Sequence, residues 1–106
     1  MSSELDHLNC KLFAENLHSK FKAALDQENT LVLELTEVDE KSVNPRVECF
    51  SVLFQGPPAP MLSQGMRRLE HEKLGTFDLF LTPIGIGNDG SLLYEAVFNR
   101  MRKENS

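Results

Sequence analysis

Apolar residues alternate with polar ones along most of the chain, and the clearest run lies in its middle. Phe50, Val52 and Phe54 fall on one side of an extended segment and Cys49, Ser51 and Leu53 on the other, the period of a strand with one buried face. Gly56-Pro57-Pro58-Ala59-Pro60 cannot continue a ladder, because proline lacks the N–H donor and biases the residue before it to extended geometry. The chain therefore leaves the sheet there and returns through Gly65. Beyond it, Arg67, Leu69 and His71 oppose Met66, Arg68 and Glu70; Glu72 to Gly75 has the length and the glycine of a hairpin connection. Phe77, Leu79 and Leu81 make one side of the next strand, with Phe80 on the other. Pro83 to Gly90 reads as a glycine-rich turn, and Leu92, Tyr94, Ala96 and Phe98 form the inward set of the last strand.

The first half follows the same logic. Phe21, Ala23 and Leu25 alternate with Lys20, Lys22 and Ala24; Leu31, Leu33 and Leu35 continue after the turn at Asp26 to Asn29. The apolar position then shifts to Val38, which predicts a bulge, and Asp39 to Pro45 reads as a polar loop. Strands are expected at about 20–25, 30–38, 46–55, 66–72, 75–83 and 91–99. Ahead of them, Ser3 with Asp6 three residues on has the form of a helix N-cap. Leu5, Leu8, Leu12, Phe13 and Leu17 recur at helical spacing, predicting an amphipathic helix over about 4–18 that lies on a sheet or plugs one open end. The fold class is mainly β: about six antiparallel strands in a small barrel or two-layered sheet, with one N-terminal helix. Leu53, Phe80, Leu93 and Val97 take the outward phase of their strands, so they make either a sticky patch or a second small core, with the helix the expected cover.

Composition narrows the class. A chain of 106 residues, 41% hydrophobic and 25% charged, is expected to be one globular domain with a core of its own. A net charge of −5 disfavours a phosphate grip, so nucleic acid is not an expected partner; the basic run at Arg100, Arg102 and Lys103 reads as a solvated terminus. No stretch is apolar for the roughly 18 residues of a membrane span, and the first residues lack the order of a signal peptide, so a cytoplasmic protein is expected. Cys10 and Cys49 are expected to remain thiols.

Catalytic candidates are few. His7 and Cys10 share a helical face but lack further metal ligands. Glu70-His71-Glu72 resembles acid/base chemistry, yet the strand period sends both glutamates away from His71, which reads as a hydrogen-bonded, partly buried histidine. Gly85 to Gly90 lacks the Lys-Ser/Thr of a phosphate loop and no helix follows it. No cofactor, metal or enzyme activity is expected. Val52 to Pro57, VLFQGP, matches the recognition sequence of picornaviral cysteine proteases, but its apolar phase fits a native strand.

Taken together, FSVLFQGP (Phe50 to Pro57), QGMRRLEHEKLGTFDLFLTPIG (Gln64 to Gly85) and YEAVFN (Tyr94 to Asn99) resemble a family of small bacterial proteins of unknown function. Its pattern runs close to FSLLFRGP, QGTYRLEHPxLGxLELFLVPVG and YEAVFN, with arginine where this chain has Gln55. The resemblance implies a compact β domain. It also implies, through members encoded near phage-tail-collar-like proteins, an accessory or assembly role. The expected function is a non-catalytic interaction protein, an assembly factor or chaperone for a tail-like or fibre-like protein partner, with Leu53, Gln55, Arg68 and Phe80 as candidate binding residues. A small-ligand binding barrel is the alternative, and an enzyme built on His71 a distant third.

Overall fold

The computed structural model describes residues 10–41 and 47–101. A short helix, α1 (Cys10–Glu15), precedes β1 (Lys20–Ala24), β2 (Thr30–Glu40), β3 (Val47–Gly56), β4 (Gly65–His71), β5 (Gly75–Ile86) and β6 (Leu92–Met101). The strands close into an antiparallel barrel in the order β1-β2-β3-β6-β5-β4, which decides between the barrel and the two-layered sheet. Every strand turns its expected apolar set inward. Phe21, Leu33, Leu35, Phe50, Phe54, Leu69, Leu81 and Tyr94 are fully buried, and the inward phase of β3 through Val52 and Phe54 makes the VLFQG segment a working part of the barrel wall.

The element limits shift where tertiary pairing overrides local signals. Residues 4–9 of the expected helix, with Ser3 and His7, lie outside the described residues. The described helix stops at Glu15 because His18 takes a left-handed φ of 69°, and Leu17, expected on the buried stripe, is exposed beyond the helix end. β2 runs two residues past its expected end: after the predicted bulge between Leu35 and Glu37, its ladder with β3 resumes and carries on to Glu40 opposite Phe50. β5 runs through Pro83 to Ile86, so the expected turn shrinks to Gly87–Gly90. Proline is tolerated there because the register shifts between Pro83 and Gly85, where the ladder is already irregular.

Both ends of the barrel are stoppered from outside the ladder. β5 divides its pairing: Gly75 to Leu81 pair with β4, and Thr82 to Ile86 with β6. At the end where β5 and β6 part, Phe13 of α1 enters and lies 5.4–6.5 Å, ring centre to ring centre, from Phe21, Phe50, Phe77 and Phe98. Two backbone bonds fasten the helix exit to β2, His18 N–H to Leu35 O (2.7 Å) and Leu35 N–H to Ser19 O (3.1 Å). At the other end the proline corner folds back so that Leu62 is buried, and its N–H donates to the Tyr94 hydroxyl (3.0 Å). A Cβ at Gly56, beneath that corner, would stand 2.7 Å from Leu33 Cδ2, so a larger residue there would have to displace the Leu33 side chain. Of the two modes open to the helix, its described part plugs an end. Phe80 and Val97 are 48% and 64% exposed, which corrects the expectation of a second core beneath it.

Candidate functional site

Three of the four candidate binding residues lie on the outer wall of the β3–β6–β5–β4 side, and the ladder registers fix their neighbours. Leu53 on β3 stands opposite Glu95 on β6, and Glu95 opposite Thr82 on β5. Phe80, two residues before Thr82 and on the same face, stands opposite Met66; next along the β4–β5 ladder, Arg68 stands opposite Asp78 and bonds it through Nε (3.2 Å). Arg68 and Phe80 are thus diagonal neighbours. Leu53 is half-buried, whereas Met66 and Phe80 are exposed, as are Ile84 in the bulge and Val97 on β6. Met66 was legible from the sequence as an outward residue, but its place beside Phe80 depends on the register.

Gln55 belongs elsewhere. Its Nε2 donates to Ser91 Oγ (2.8 Å) and Asp89 Oδ2 (3.1 Å) in the β5–β6 turn. It lines a depression of about 330 Å³ with Lys20, Val32, Glu34, Gly56, Pro57 and Ser91. The Ser91 N–H, above all, holds the Asp89 carboxyl below its usual range, with help from the Ser91 hydroxyl. Across the depression, Lys20 Nζ (3.2 Å) and His18 Nδ1 (3.3 Å) grip Glu34 and lower it likewise, the lysine bond being the larger cause. Of this cluster only Gln55 was a candidate binding residue in the sequence, because β3 meets the β5–β6 turn only through strand order.

His71 ends β4 on its inward phase and is buried, its ring 4.4 Å from that of Phe21. The N–H groups of Lys73 (3.0 Å) and Leu74 (3.1 Å) both point at Nδ1, so that nitrogen accepts and the proton sits on Nε2. Nε2–H donates to Ser19 Oγ (2.9 Å), whose own proton goes to Asn16 O. A serine nucleophile needs the reverse tautomer, with Nε2 free to take the hydroxyl proton. The arrangement is that of a structural histidine, as the strand period implied. Among the described residues no group of three or more histidine, cysteine or carboxylate side chains is arranged to hold a metal ion. Cys10 and Cys49 both remain thiols, and among the described residues no helix is long and apolar enough to cross a membrane.

A family of domains of unknown function, DUF6916, matches residues 8–98. No curated protein and no solved structure matches the chain.

Proposed function

The chain belongs to the DUF6916 family, and we propose that it is a non-catalytic interaction or assembly protein of the bacterial cytoplasm, accessory to or chaperone for a phage-tail-like or fibre-like partner. One observation carries this reading: Met66, Phe80 and Val97 are exposed on the outer wall while the interior of the barrel is filled. Large apolar side chains set on one wall of a small domain are the usual mark of a surface that another protein covers. Leu53 and Arg68 border this wall and Gln55 stands apart from it, so the first two belong to the proposed surface and the third does not. The ligand-binding alternative has less support, since packed rings occupy the space an apolar ligand would need.

The test is co-expression of the tagged chain with a phage-tail-like or fibre-like protein, followed by co-purification. A stoichiometric complex is expected from the wild type and from Val32→Asp, which alters an exposed residue on the opposite wall. Phe80→Asp is expected to stay folded and to lose the complex by about tenfold or more, the scale of a truncated anchor residue. Retention of the complex by folded Phe80→Asp and Met66→Asp chains would remove this surface. Unfolding of Leu53→Asp/Phe80→Asp would assign the pair to the core instead.

A further inference from the structure

We propose that His71 is an acid-sensitive latch on the β4–β5 turn: protonation at Nδ1 opens residues 72–74 while the barrel behind them stays closed. The inference rests on what the ring holds. Nδ1 is the shared acceptor for two consecutive backbone N–H groups, so the amides inside the turn are tied to a lone pair, while the ladder closes behind them at the His71–Gly75 pair. A proton on Nδ1 turns the acceptor into a donor that faces two donors, and all three cannot stay in place. Nε2 is a donor in both charge states, so its bond to Ser19 survives and the ring stays anchored to the turn that follows α1. The disturbance is therefore confined to Glu72, Lys73 and Leu74. Leu74 is half-buried against the core and is the side chain an open turn would release.

The surroundings make the ring titrate by choice of shape, not by contact with a single charge. Glu70 on its own strand and Glu72 and Lys73 in the turn flank it; from β1, Lys20 and Lys22 line the same depression of about 510 Å³, together with Val32, Gly75 and Thr76. Phe21 covers one face, and Ser19 and Asn16 close the chain of bonds on the Nε2 side; neighbouring His18 is turned to Glu34. Burial holds the imidazole below its ordinary value, Glu72 draws it back up and Lys73 pushes it down again. The latch is shut at neutral pH and opens only as pH falls below the ordinary histidine value of 6.5.

Amide hydrogen exchange at Lys73 and Leu74, measured by NMR on the full chain and corrected for intrinsic rates, tests this. Protection at both amides is expected to fall at least about tenfold between about pH 7.5 and about pH 5, the effect of losing roughly one or two hydrogen bonds. Phe21 and Leu69 should keep theirs. His71→Asn places an untitratable carboxamide oxygen near the Nδ1 position, and its protection at 73 and 74 is expected not to change with pH. An equal decline in His71→Asn, or none in the wild type, overturns the latch. Should the variant fail to fold, imidazole nitrogen shifts of the wild type decide: the Nε2–H tautomer at neutral pH supports the proposal, and the Nδ1–H tautomer refutes it.

Discussion

Phe13 is the one aromatic side chain that reaches the core from outside the strands, and its removal measures how much of the fold depends on the stopper. The residue is fully buried, with four phenylalanine rings around it. Truncating a buried phenylalanine to alanine costs about 3–5 kcal/mol through lost transfer energy and the cavity left behind. The upper half of that range is expected here, because the four neighbours project from separate strands of a closed ladder and cannot collapse into the space. Helix propensity works the other way, alanine being the better helix former, so any loss belongs to packing. A domain of this size has about 5–15 kcal/mol in all. At about 1.5 kcal/mol per M of urea, a loss of about 4 kcal/mol lowers the unfolding midpoint by roughly 2.5 M. Far-UV circular dichroism follows the transition, and Leu17→Ala, at an exposed position beyond the helix end, is the control that should shift by less than about 0.5 kcal/mol. A Phe13→Ala midpoint within about 0.3 M of wild type would refute the stopper, since no buried ring in this setting is so cheaply lost.

Two further outcomes follow from the same coordinates. Tyr94→Phe leaves the buried Leu62 N–H without its acceptor, and a loss of about 1–3 kcal/mol is expected, with faster proteolysis of the 57–64 corner as the local readout. Stability should also fall in two pH windows. His71 has a lowered value in the folded chain, so the unfolded chain takes the proton first; stability is complete above the ordinary histidine value of 6.5 and declines as pH drops from there toward the folded value. Asp26, Glu34 and Asp89 are lowered too, and their contribution is present above the ordinary carboxylate values of 3.8 and 4.5 and lost as pH falls through the folded ones. Urea titrations across pH should show both steps, and a single step confined to the carboxylate window would be inconsistent with the placement of His71.

Strand phase was legible because it is local: a residue and its second neighbour share a face whatever the strand pairs with, so Phe50, Val52 and Phe54 declared the inner wall, and Val38 declared the bulge. His71 was legible for the same reason. Strand adjacency is not local. Nothing in β3 announces that β6, some forty residues on, lies beside it, and the position of Gln55 against Asp89 and Ser91 follows only from that pairing. Pro83 misled because the usual bar on proline in a ladder is lifted at a register shift, and shifts of this kind depend on the partner strand. Leu62 was hidden among prolines, where no periodicity exists to mark a buried side chain.

The two stoppers bear on what surface remains. A six-stranded barrel whose ends were open would offer its interior to a ligand; here α1 supplies Phe13 to one end and the proline corner supplies Leu62 to the other, so the proposed interaction would use the outside. The outside is not uniform. The wall at β1 and β2 carries Lys20, Lys22, Glu34, Glu37 and Asp39 around Val32, and its charges are partly spent on each other in the Lys20–Glu34–His18 group. The wall at β4, β5 and β6 sets Met66, Phe80, Ile84 and Val97 among fewer charges, with Arg68 already facing Asp78. A partner drawn by charge would choose the first wall and lose its grip as salt rises, since exposed pairs are screened within about 10 Å at 0.1 M salt. A partner drawn by apolar burial would choose the second wall and hold in salt. The proposed assembly role therefore requires a complex that survives high ionic strength, and one that dissolves in it would point to the β1–β2 wall instead.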